Sequence, residues 1–117
     1  YYDWRDPQND NLWLGVNGTN NPCPTGFRLP TDAEWEAERL SWSSNDLAGA
    51  FAPPLKLPSA GYRYCYDGSI IGAGSSGIYW SSTVTGTKSR YIYFDSNGAM
   101  VTDLDRASGC SVRCIKD

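Results

Sequence analysis

The 117-residue chain carries 10 Lys and Arg against 13 Asp and Glu, with no His, for a formal charge of −3. That length suits one hydrophobic core and would starve a second. The charges are scattered with no Lys/Arg run, which removes the electrostatic footprint that nucleic acid or an anionic membrane requires, and no apolar stretch approaches the ~18 residues of a membrane span. The expectation is a single domain, 1–117; beginning at Tyr1 without an initiator Met or signal pattern, it reads as part of a longer polypeptide.

The first thirty residues, with DPQNDN, GVNGTNN and PCPTG, are turn-forming, and Trp4, Leu12, Trp13, Leu14 and Phe27 punctuate them as apolar pegs. This is the composition of an ordered loop pinned by aromatics. Asn17-Gly18-Thr19 is a glycosylation sequon, a motif short enough to arise by chance. Thr31-Asp32-Ala33-Glu34 then fits a capping box behind Pro30 and predicts a helix from about Asp32 to Ser41. Ala33, Ala37 and Leu40 recur on one face of it, flanked by Trp35 and Trp42, whose plainest role is core packing. A second, shorter helix over Asn45–Phe51 would be capped by Asn45 and ended by Pro53-Pro54.

From Leu55 the pattern changes to β. Runs at Leu55–Tyr66, Ile78–Thr83, Arg90–Asp95, Ala99–Asp103 and Ser111–Ile115 are separated by turn signals at Asp67-Gly68, Gly72–Gly77, Thr85-Gly86 and Asn97-Gly98. Asn97-Gly98, between two alternating segments, reads as a type I′ hairpin. One or two helices followed by a strand-rich half predict an α+β fold with an antiparallel sheet and long ordered loops. Alternation in Tyr91-Ile92-Tyr93-Phe94-Asp95 sends Ile92 and Phe94 to one face and Tyr91, Tyr93 and Asp95 to the other, which is expected to be exposed.

The four cysteines, Cys23, Cys65, Cys110 and Cys114, match no CxxC zinc or redox spacing, and no His completes a mixed metal site, so disulfides and an oxidising compartment are the better reading. Were Cys110 and Cys114 on one strand, ~3.3 Å per residue would hold their Cα atoms ~13 Å apart. A disulfide spans about 4.4–6.8 Å, so that pairing is disfavoured.

Three segments in order, NPCPTGFRLPTDAEW, GIYWSST and GCSVRCIKD, with LPSAGYR between them, resemble the Fibrobacter succinogenes major paralogous domain family of the C-type-lectin-like superfamily. The resemblance implies a disulfide-stapled C-type-lectin-like fold in which the chain ends meet, carried by secreted and surface proteins of bacteria. Cys23 bonded to Cys114 would join those ends. Cys65 with Cys110 is the companion pairing, with a free thiol as its alternative. The segment Tyr79–Cys114 is similar to the variable region of diversity-generating retroelement proteins, whose ligand-facing residues change on a fixed scaffold. Its Tyr, Ser, Asn and Asp supply rigid aromatic area and adaptable hydrogen bonds, as in antibody paratopes.

These features predict a non-catalytic module at a cell or virion surface that binds a macromolecular ligand, protein or glycan, with no cofactor. The ligand-binding candidates are Tyr79, Trp80, Arg90, Tyr91, Tyr93, Asp95, Asn97, Asp103, Asp105, Arg106 and Ser108. Asp103 and Asp105, at i and i+2, offer either a carboxylate pair or a solvated strand end near Arg106. Trp80 offers either a sugar-stacking face or a core residue. Without His, triad chemistry has no base. A structural cap of a larger surface assembly is the rival reading. An oxidase resembling formylglycine-generating enzymes, holding copper(I) between Cys110 and Cys114, is a more distant one.

Overall fold

The computed structural model describes residues 3–117; Tyr1 and Tyr2, at the head of the expected domain, lie outside the described residues. Nine short elements follow in chain order: β1 (Phe27–Arg28), α1 (Asp32–Leu40), α2 (Leu47–Phe51), β2 (Tyr62–Arg63), β3 (Ile70–Ile71), β4 (Ser76–Thr85), β5 (Lys88–Asp95), β6 (Gly98–Asp105) and β7 (Ile115–Lys116). The fold is α+β, and all of its strand pairs are antiparallel: β4-β5-β6 form the main sheet, β2 pairs with β3, and β1 pairs with β7. The radius of gyration, 13.8 Å, is close to the ~13 Å of a compact chain this long.

The capping threonine of α1 behaves as its sequence requires: Thr31 Oγ1 accepts the N–H of Glu34 at 3.2 Å. Glu34 does not reach back to close the box. Its carboxylate instead pairs with Arg28 at 2.9 Å, while Arg28 also holds Asp117 at 2.9 Å. The expected Ala33, Ala37 and Leu40 face is wrong: the two alanines are exposed and Leu40 is 70% exposed. The helix instead buries Trp35, whose indole N–H donates to the Trp80 carbonyl at 3.2 Å, and turns Asp32, Glu36 and Arg39 inward with it at half burial. A tryptophan concentrates about 150–250 Å² of apolar area on one position and carries an N–H that finds an acceptor when buried, so seating Trp35 sets the rotation. For α2 the cap is Asp46, which accepts the Gly49 N–H at 3.0 Å, while Asn45 bridges the Arg39 guanidinium and the Ala99 carbonyl.

Both helices pack on the sheet face carrying Tyr79, Ile92, Phe94 and Ala99, and Trp35, Ala50 and Leu57 complete this core. Tyr79 stacks on Phe94 with centroids 6.0 Å apart, and Trp42 meets the Phe94 edge at 5.9 Å. Gly77 makes the room, since a Cβ there would sit 2.1 Å from Phe94 Cζ. Any side chain at that position would displace the ring.

The β5–β6 hairpin forms where alternation placed it, but Asp95 pairs with Gly98, so the two-residue loop is Ser96-Asn97 rather than Asn97-Gly98. Neither loop residue has positive φ. Asp95 Oδ1 accepts the N–H groups of Asn97 and Gly98 at 2.8 and 3.1 Å, which secures the turn without a left-handed residue. The expected strand at Leu55–Tyr66 shrinks to Tyr62–Arg63, because Pro58 cannot donate to a ladder and Gly61 turns through φ 69°. The expected strand at Ser111–Ile115 is likewise reduced to a bridge between Ser111 and Tyr79 followed by β7.

Cys23 and Cys114 are bonded, with Cα atoms 5.8 Å apart, immediately beside the β1–β7 pair. In the chain-entropy description a loop this long restrains the unfolded state by roughly 4–5 kcal/mol. The expected Cys65–Cys110 bond is not present; both are free thiols. Gly109 and Arg63 exchange backbone hydrogen bonds of 3.0 and 2.7 Å. That antiparallel register sets Cys110 opposite Tyr62 and leaves Cys65 three residues farther along, in the turn. Burial pushes the Cys110 thiol up to about 12, so it stays protonated and slow to react near neutral pH. Denatured, unreduced protein is therefore expected to titrate two thiols. Native protein should be alkylated first at the half-buried Cys65 and at Cys110 only on unfolding; a count of zero thiols would restore the second disulfide.

Candidate functional site

A cleft of about 270 Å³ opens between the N-terminal segment and the far end of the β4–β5 hairpin. Its open aromatic surface comes from Trp4 and Trp13, with Trp80, 5% exposed, as the floor, and its polar lining from Asp3, Arg5, Asn9, Asp10, Asn20 and Arg106, with Ser81, Ser82 and Ser89 along the strands. The volume lies just below the range of drug-sized ligand sites, about 300–1,000 Å³.

The N-terminal wall has no regular secondary structure and is held by its own amides. Asp3 Oδ1 accepts the Arg5 N–H at 3.1 Å and Asn9 Oδ1 accepts the Asn11 N–H at 3.0 Å, two side-chain turns of the kind Asn and Asp favour. The Asn20 N–H donates to the Leu12 carbonyl at 2.9 Å, folding the loop back on itself next to Trp13. Gly18 permits that closure, because a Cβ there would meet the Leu12 carbonyl oxygen at 2.7 Å. Asn21 then ties the loop to β1, its amide donating to the Phe27 carbonyl at 2.9 Å.

Arg106 fixes this wall to the sheet. Its buried guanidinium pairs with Asp10 at 2.7 Å and Asp3 at 3.7 Å, and donates to the Gly86 carbonyl at 3.1 Å in the β4–β5 turn. Gln8 donates to the same Gly86 carbonyl at 2.9 Å and to Asp10 Oδ1 at 2.8 Å. Hydrogen bonds from Gln8 and then Arg106 hold the Asp10 carboxyl below its ordinary range, so it is ionised at neutral pH.

The eleven candidate residues divide among separate places. Trp80 and Arg106 line the cleft, and Tyr91 packs edge-on against Trp80 at 6.2 Å. Tyr93, Asp95 and Asn97 sit together at the β5–β6 turn. Arg90 and Asp103 are cross-strand partners on the helix side, where Arg90 pairs with Asp32 at 3.2 Å; Asp105 is the partner of Lys88. Tyr79 is a core residue, its hydroxyl donating to the Pro58 carbonyl at 2.8 Å, and Ser108 is 1% exposed, so neither reaches a ligand. Tyr91 and Tyr93 do share a face opposite Ile92 and Phe94, but they are half-buried, with Tyr62 and Cys110 close enough to Tyr91 to raise its pKa beyond what its burial does. The expected open tyrosine face is thus partly covered.

Sequence reasoning missed Asn9, Asp10, Asn20 and the ligand-facing role of Trp4 and Trp13, which it read as apolar pegs. Trp4 is 78% exposed. Among the described residues no group of three or more Cys, Asp or Glu side chains is arranged to hold a metal ion, and the Cys114 sulfur is committed to Cys23 rather than available to share copper with Cys110.

Tyr93 offers a titration that reports on the sheet. Its hydroxyl donates to Asp95 Oδ2 at 2.6 Å, and that bond, with burial second, pushes it up to about 12. The unfolded value is ~10, so the stabilising contribution is complete below pH ~10 and is lost as the pH rises from there through about 12. Phenolate absorbance should show Tyr93 titrating late, alongside Tyr79 and Tyr91, which burial also raises, and Tyr93→Phe should remove one equivalent of the late absorbance and flatten stability over the same interval. A Tyr93 that ionises near 10 would contradict the hydrogen bond.

No curated protein and no solved structure matches this chain. Residues 52–115, from the end of α2 into β7 and including Trp80 and Arg106, match the family described as Domain of unknown function (DUF8237). That match spans more than half of the sequence, and the chain belongs to this family.

Proposed function

We propose that the domain is a non-catalytic ligand-binding module of C-type-lectin-like fold, displayed outside the cell or on a virion, and that the tryptophan-lined cleft is where its ligand docks. The observation that carries the reading is the contrast among the tryptophans. Trp35 and Trp42 donate their indole N–H groups to the Trp80 carbonyl and Glu38 and pack in or against the core. Trp4 and Trp13 border an open cleft, and among the described residues neither indole has an acceptor. A solvent-facing tryptophan beside charged and amide groups has the composition of a binding hot spot.

The likeness to the Fibrobacter succinogenes major paralogous domain family supports the fold assignment, and the disulfide between the first and last matching blocks agrees with the meeting chain ends which that likeness implies. A disulfide suits an oxidising compartment, and no helix among the described residues is long and apolar enough to cross a membrane. Trp80, Ser89 and Arg106, three of the cleft residues, come from the segment similar to retroelement variable regions. Diversification of that segment would alter one wall of the cleft while the N-terminal wall stayed constant.

The test is binding of the purified domain to printed arrays of glycans and of extracellular proteins, beside Trp13→Ala with its fold checked by circular dichroism. Trp13→Ala is expected to lower capture by about tenfold or more, the scale of a hot-spot truncation, at unchanged stability. Capture indifferent to Trp13→Ala would remove the cleft from the function.

A further inference from the structure

We infer that the occupant of the cleft is a single uncharged pyranose unit, bound without a metal ion; this rests on the cleft being the binding site. Charge excludes the alternatives first. Asp10 and Asp3 on their own would draw a cation to the tryptophans, as an aromatic cage does. Both carboxylates already face the Arg106 guanidinium, at 2.7 and 3.7 Å, so their charge is answered. An anion gains little more: Arg106 is matched by the same two carboxylates and meets the carbonyls of Gly86 and Lys88 besides, and the exposed Arg5 brings the described lining to two arginines against two carboxylates, with no net charge. What remains is a surface of strong hydrogen-bonding groups with no net call for charge.

The unspent bonding capacity fits hydroxyl groups. Asp10 meets both Gln8 and Arg106 through Oδ1, and its carboxylate, with a side chain 44% exposed, keeps lone pairs with which to accept from a ligand hydroxyl. The Nε–H of Arg106 is enclosed in the cleft wall and is not offered to a ligand. The carboxamides of Asn9 and Asn20 stand on the same rim, each able to donate and accept. A ring that presents hydroxyls along its edge and C–H groups on its face meets both requirements, with the edge on this polar rim and the face on indole. A cleft of about 270 Å³ admits one such ring more readily than an extended chain.

The experiment uses the intact domain and follows its five indole N–H resonances by two-dimensional NMR. The probes are the methyl glycosides of glucose, galactose, mannose, fucose and N-acetylglucosamine, each with and without EDTA, with glucuronate and choline as charged controls. At least one neutral glycoside is expected to shift the Trp4 and Trp13 signals while those of Trp35 and Trp42 stay put. Its dissociation constant should be on the order of 1 mM, as befits so small a ligand. EDTA should leave it unchanged, Trp13→Ala should weaken it at least tenfold, and Trp13→Phe should recover part of the loss. Shifts produced only by choline or glucuronate would overturn the neutral-sugar assignment and leave the cleft as the site. No shift with any probe, alongside array capture of a protein that Trp13→Ala abolishes, would overturn the sugar while the module still binds through the cleft. No shift and no Trp13-dependent capture would end both readings.

Discussion

A buried guanidinium holds the functional end of this domain together. Arg106 follows the last long strand, yet its contacts reach Asp3 and Asp10 at the start of the chain and the Gly86 carbonyl in the β4–β5 turn. An arginine so enclosed is tolerated only with its charge and most of its N–H groups answered, and removing the partners of such a group costs about 3–5 kcal/mol. Among the described residues of the N-terminal segment no helix or strand precedes β1. Its position on the sheet therefore depends on this arginine, on the Gln8 hydrogen bond to the Gly86 carbonyl, and on the closure around Asn20 and Asn21.

The two ends of the domain are stabilised by different physics. On the helix side, Trp35, Tyr79, Ile92 and Phe94 form a packed core that defines the sheet. On the opposite side, a loop is fastened by an ionic and hydrogen-bonded node, and aromatic surface is left open between loop and sheet. The disulfide and the β1–β7 pair act between them, fixing where the loop enters α1. A rigid scaffold bearing a loop-built, tryptophan-rich cleft is an economical arrangement for recognition, because the groups that meet a ligand are not those on which the core depends.

The parts that were legible in the sequence are those governed by local rules. Thr31 marked the start of α1, alternation through Tyr91–Asp95 gave the buried and half-buried faces of β5, and Gly86 marked the turn before it. The site was less legible because tertiary contacts decide it. Nothing local distinguishes Trp4 and Trp13, which face the cleft, from Trp35, which enters the core. Nor does spacing reveal that Asp10 meets Arg106 across almost the whole chain, or that the Arg63–Gly109 bridge sets Cys65 out of register with Cys110. The rotation of α1 was misread for a related reason: counting apolar residues ignored the size of Trp35 and the value of placing Asp32 against Arg90.

The most direct measurement of this account is native-state hydrogen exchange on Arg106→Met, which keeps the length of the side chain and deletes its charge. The amides of the N-terminal wall, those of Asn11, Leu14 and Asn20 in particular, should lose protection while β4, β5 and β6 keep theirs, giving a domain that retains its core and has lost its cleft. Protection of the wall at the wild-type level would contradict the account, because the cleft would then be held by something other than the Arg106 node.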